Sequence, residues 1–166
     1  MSKCPKKYDT LKTNMTNMEI IEYLYELIEL EQNAGRLYLM FTNYIQEDYH
    51  FWWVLANEEM NHAALLKTGV EFAKLGEFPN ISTDEINEVK KLNSQFDSII
   101  EEFKKNPNRL KSFEIALEIE SSAGESHYQE FMDTKSDNKI VKILQELNRE
   151  DNNHYNRIKD YYSEIL

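Results

Sequence analysis

A chain of 166 residues suffices for one domain with a single apolar core, burying about 68–70% of the surface its unfolded form exposes. Acidic residues outnumber Lys plus Arg by 30 to 19, giving a net charge of −11; no basic face able to neutralise a row of phosphates is visible, which argues against nucleic acid. With 4 glycines and 3 prolines the turn-rich composition of a sheet protein is missing, so the expected fold class is all-α.

No apolar run approaches the ~18 residues of a membrane span, and the basic start Met1–Lys12 leads into no signal-type apolar segment. The single cysteine, Cys4, forms no Cys-x-x-Cys pair and suits a reducing compartment, so a cytoplasmic protein is expected. Residues 1–16 read as a flexible N-terminal tail and 17–166 as one helical domain.

In chain order, Asn17 is the expected cap of a first helix over about 18–47. Its inward stripe is Ile20, Leu24, Leu27, Glu31, Ala34, Tyr38, Phe41 and Ile45. A second helix over about 49–75 stops at Gly76 and carries the stripe Trp52, Leu55, Glu59, His62, Leu66 and Gly69. Its opening block Phe51–Leu55 is apolar all round and is expected to be buried from two directions, as core or as a subunit contact. His50 falls outside the inward row, at the surface.

A third, connecting helix is expected from Ser82 to about Lys105, with Ile86, Val89, Phe96, Ile99, Ile100 and Phe103 on its apolar face. Asn106-Pro107 ends it and starts the next helix. That fourth helix, about 108–133, aligns Phe113, Ala116, Glu120, Ala123 and His127. A Thr134–Asp137 turn leads to the last helix, whose inward row is Ile140, Leu144, Leu147, Asp151, His154 and Ile158, with Tyr161 or Tyr162 beyond.

The chemistry lies in an internal repeat. Glu29–Gly35 reads ELEQNAG and Glu118–Gly124 reads EIESSAG; Glu58–His62 reads EEMNH and Glu150–His154 reads EDNNH. Glu59 and His62, three apart, share a helix face, and that face is the apolar one. Polar groups buried there cost about 2–7 kcal/mol each without partners. Two helical hairpins related by a pseudo-twofold bring Glu31, Glu59, His62, Glu120, Asp151 and His154 together. No lysine or arginine occupies the inward rows, so four carboxylates are balanced by two divalent cations. Carboxylates with imidazoles suit iron or manganese, with zinc also possible.

This doubled motif, spanning about 18–165, resembles the ferritin-like diiron superfamily and most closely the rubrerythrin family. The resemblance implies a ferritin-like four-helix bundle with a helical crossover between helices two and three. It implies two iron ions, with Glu31 and Glu120 as terminal ligands, Glu59 and Asp151 as bridges, and His62 and His154 as terminal nitrogens. Tyr38 and Tyr128 look like the tyrosines that hydrogen-bond ligand carboxylates in that family; ordinary core tyrosines are the alternative. His127 takes the place of Tyr38 in the repeat and either bonds a ligand, relays protons or is a satisfied core residue.

Three positions depart from the family pattern. Asp151 stands where it has glutamate, Ala123 stands where rubrerythrins carry a further glutamate, and no Cys-x-x-Cys pairs follow the bundle. The implied function is a diiron peroxidase or oxidase, reducing hydrogen peroxide or dioxygen with electrons from a separate rubredoxin-like donor, as a homodimer. The alternatives are an iron-handling ferroxidase and a metal-depleted helical scaffold.

Overall fold

The computed structural model of the chain describes residues 16–76, 83–127 and 135–166, without the side chains of 83–85, 123–127 and 151–152. The tail with Cys4 and the candidate Tyr128 lie outside the described residues, as do the side chains of Ala123, His127 and Asp151. The fold is all-helical, with no strand among the described residues. Helix α1 spans Asn17–Tyr44, α2 Tyr49–Lys74, α3 Thr83–Asn93, α4 Phe96–Lys105, α5 Arg109–His127 and α6 Lys139–Ile165, and a 3-10 turn at Gln46–Asp48 joins α1 to α2. None of the described helices is long and apolar enough to cross a membrane.

The cap of α1 is Thr16 rather than Asn17. The Thr16 hydroxyl accepts from the Glu19 amide, and the Glu19 carboxylate accepts from the Thr16 amide at 2.7 Å. This reciprocal pair satisfies two otherwise orphaned donors, which Asn17 one residue later does not. All eight residues of the α1 stripe and all six of the α2 stripe are buried. Gly76 closes α2 at φ +88°, a left-handed conformation that a side chain would strain.

The single connecting helix expected from 82 to 105 is two helices, broken at Ser94–Gln95. Polar side chains at the break bond elsewhere. The Asn93 amide donates to the Glu26 carbonyl (2.9 Å) and its oxygen accepts from Asn33 (3.1 Å), tying α3 to α1, while the Ser94 hydroxyl turns back onto the Lys91 carbonyl. Pro107 likewise lies outside α5: Asn108 is the residue whose side chain accepts from the Lys111 amide, so α5 begins at Arg109. Helix α6 is capped by Asn138, which accepts from Ile140 and Val141.

Helices α1 and α2 form a hairpin, α5 and α6 pack together, and α2 also packs on α6. Helix α1 approaches α2 closely at Gly35. A Cβ there would stand 2.7 Å from the Met60 methyl and 3.2 Å from the Ala56 carbonyl oxygen, so glycine lets the helices meet beside Glu59. Within a single chain the Phe51–Leu55 block is covered on one side. Trp52 and Leu55 are core, whereas Trp53 is 44% exposed and stacks on the exposed His50, because α2 keeps one face to solvent.

One end of the molecule is closed by a buried acid. Asp48 accepts two hydrogen bonds from Arg109 of α5, each 2.7 Å, and a third from the Tyr161 hydroxyl of α6 at 3.0 Å. Asp48→Ala removes all three acceptors at once. Because the Arg109 side chain is 36% exposed and regains water, the expected loss is about 1–3 kcal/mol, below that for a fully buried pair, read from urea unfolding.

Candidate metal centre

Four helices bring five polar side chains to one point in the apolar interior: Glu31 from α1, Glu59 and His62 from α2, Glu120 from α5 and His154 from α6, all buried. Glu59 lies between the two imidazoles. Its Oε2 is 3.2 Å from His62 Nδ1 and its Oε1 is 2.8 Å from His154 Nδ1. Glu31 adds a carboxylate oxygen 3.4 Å from His62 Nδ1, and Glu120 adds one 4.0 Å from His154 Nδ1. The rings face each other with centroids 5.2 Å apart and planes within 13°. Two similar half-sites therefore share one carboxylate.

The outer nitrogens are held by a second pair of acids. His62 Nε2 is 2.7 Å from Glu150, and His154 Nε2 is 3.1 Å from Glu58, which also accepts from Arg157 at 2.7 Å. A nitrogen facing a carboxylate carries a proton, so in the neutral ring the lone pair falls on Nδ1, toward the centre. Tyr38 donates its hydroxyl to Glu120 Oε1 and fixes that carboxylate. Sequence reasoning missed Glu58, Glu150 and Arg157, although each EEMNH-type motif begins with the acid in question.

The donor set fits a metal ion. Glu59 Oε1 and His154 Nδ1 are buried and 2.8 Å apart, yet neither makes a hydrogen bond of acceptable geometry. Two electron-rich atoms so placed repel unless a cation sits within reach of both. Atoms of Glu59, His62 and His154 all lie within 4.8 Å of one another, as a shared ion requires. No described lysine or arginine pairs with Glu31, Glu59 or Glu120.

Without a metal ion, protons take the cationic role. Burial pushes Glu31 up to about 7 and Glu120 up to about 8. Burial opposes ionisation of Glu59 too, but the imidazoles of His154 and His62 close beside it outweigh burial and hold this carboxyl well below the usual range. Both histidines resist the lowering effect of burial. Glu31 and Glu59 raise His62 to about 12, and Glu58 and Glu59 raise His154 to about 10. A divalent ion bound here would displace protons.

No family model, curated protein or solved structure matches the chain. The site is defined by its own residues.

The protons leave a signature in stability. Between pH 4.5 and about 7 for Glu31, or about 8 for Glu120, the folded state holds a proton that the unfolded state has released, so stability falls as pH rises. The histidines act in the same sense above 6.5, while the Glu59 contribution is already complete above its unfolded value. Metal-free protein is therefore expected to lose urea stability between about pH 5 and about pH 8, and Glu31→Gln/Glu120→Gln to flatten that loss. Adding a divalent metal at the higher pH should restore the midpoint of the wild type and not of the double variant.

Proposed function

We propose that the chain is a ferritin-like bundle holding a two-ion, non-haem iron centre, and that it acts as a rubrerythrin-type oxidoreductase on hydrogen peroxide or dioxygen. The observation that carries this reading is Glu59, one carboxylate whose two oxygens each face the Nδ1 of a different histidine. An acid shared in this way favours two ion positions over one. Glu31, His62 and Glu59 would hold one ion; Glu120, His154 and Glu59 would hold the other. Oxygen and imidazole donors favour iron or manganese, with zinc the redox-inert alternative. Ferrous iron held by these residues would supply electrons to an O–O bond.

The chain's own residues set the conditions for that chemistry. Burial of all five donors excludes bulk water. Tyr38 orients Glu120, and Glu150 and Glu58 orient the imidazoles. The side chains of Glu150 and Glu58, 52% and 34% exposed, connect the rings to solvent between α2 and α6 and offer protons a way in. In this reading electrons come from a rubredoxin-like donor. The homodimer belongs to the same proposal, with the exposed rings of Tyr49 and Trp53 on α2 available for the contact.

Metal analysis of protein purified without added metal, followed by iron titration, tests the reading. Two ions per chain are expected, one fewer in His62→Ala or in His154→Ala, and neither bound tightly in Glu59→Ala. In the same reading Asp151 adds a carboxylate to the His154 position, so Asp151→Ala should empty that position and Asp151→Glu should raise its occupancy. In stopped flow the diferrous protein should be oxidised faster by hydrogen peroxide than by air and be reducible again by a rubredoxin-like donor. Faster reaction with oxygen, and iron accumulating beyond two ions per chain, would move the function to iron handling. Light scattering should give twice the chain mass of 19.8 kDa.

A further inference from the structure

Met60 is the one sulfur-bearing side chain in the paired EEMNH and EDNNH segments; the second copy has Asn152 in its place. It is half-buried, and its methyl group lies in the notch that Gly35 leaves between α1 and α2, where a Cβ on residue 35 would stand 2.7 Å from it. The Glu59 Cβ is 3.4 Å from the same point, and Glu31 precedes Gly35 by about one turn of α1. Glu31 and Glu59 both approach His62 Nδ1. The spacing of α1 from α2 at Met60 therefore sets how these two carboxylates meet that ring.

Met60 also borders an open groove lined by Tyr25, Ile28, Gln32 and Arg36. The groove is poorly matched to a thioether, which is apolar and a weak acceptor. Its walls carry a phenol, an amide and a guanidinium, and Arg36 gives only part of its donor capacity to Asn33. A sulfoxide oxygen is the strong acceptor that such donors suit. We propose that Met60 is a modification site and an oxidation switch: peroxide converts its thioether to the sulfoxide, and the lost fit at Gly35 weakens metal binding by Glu31, Glu59 and His62. The effect on metal rests on reading the cluster as a metal centre; the modification and the lost fit do not.

The reaction is balanced by hydrogen peroxide alone. The sulfur attacks one peroxide oxygen, an S–O bond forms as the O–O bond breaks, and the other oxygen leaves as water with both protons. Sulfur loses two electrons and the peroxide gains them. The product is polar and chiral where the reactant was apolar. It does not suit the notch, because the Ala56 carbonyl oxygen, 3.2 Å from the Cβ position of residue 35, repels a second oxygen there. The oxidised side chain turns into the groove and its methyl leaves the notch. Packed helices close such a gap or admit water to it, and either response moves Glu31 relative to Glu59. A methionine sulfoxide reductase restores the thioether.

The test treats the full metal-free chain with hydrogen peroxide and locates the added oxygen by peptide mass spectrometry. Met18, 80% exposed, serves as the unprotected thioether and Met40, 8% exposed, as the shielded one. Met60 is expected to react soon after Met18 and well before Met40. The oxidised protein should unfold at lower urea and bind cobalt(II), the ion titrated, about tenfold more weakly, as when the support of a metal ligand is disturbed. Both properties should return after treatment with sulfoxide reductases for the two epimers. Met60→Leu, close in size, should keep its urea midpoint and its cobalt affinity through the same treatment, which assigns the effect to Met60 rather than to Met18 or Met40. Oxidation of Met60 no faster than of Met40 overturns the switch, as does a Met60 sulfoxide that leaves the urea midpoint unmoved. A lowered midpoint with unchanged cobalt affinity overturns its link to metal. Reduced protein that binds no cobalt overturns the metal reading of the cluster instead, and the urea midpoint then decides the switch by itself.

Discussion

The structure depends on a carboxylate placed between two imidazoles in an apolar interior. Glu59 cannot be solvated where it sits, and burial of an unpaired charge is among the largest penalties a fold can carry. Only cations of some kind, protons or metal ions, make the arrangement stable. That requirement explains why the surrounding groups are titratable, why they are turned Nδ1-inward, and why each imidazole has a carboxylate behind it.

The helices meet this constraint by ordinary means. A capping box starts α1, a left-handed glycine ends α2, and Gly35 removes a side chain where α1 and α2 approach beside Glu59. The buried aromatic rings of Tyr38, Phe41, Trp52, Phe103 and Phe113 pack on one another and adjoin the polar cluster through Tyr38. At the far end of those rings Asp48, Arg109 and Tyr161 tie three elements together. The dry, rigid surroundings are what let a few buried charges act strongly on one another.

The stripes of α1, α2 and α6 were legible because helical periodicity is a local property, and a polar residue on an apolar stripe is visible wherever it occurs. The repeat added the register between distant segments, and the resulting residues Glu31, Glu59, His62, Glu120 and His154 do meet. The break between α3 and α4 was less legible, since Asn93 leaves its own helix to bond α1, a partner some sixty residues away. The solvent face of Trp53 was hidden for the same reason: composition shows that a block is apolar, not which side is covered.

By itself the sequence determined the all-helical class, the inward rows of α1 and α2, and Glu31, Glu59, His62, Glu120 and His154 as polar groups on apolar stripes, all of which follow from spacing along one helix. Tertiary structure alone decided how they are paired. That Glu59 serves both histidines, that Glu58 and Glu150 cross over to the opposite ring, and that Tyr38 reaches Glu120 are facts about distances between helices. Side-chain packing sets those distances to within a fraction of an ångström, and no periodicity within a single segment records them.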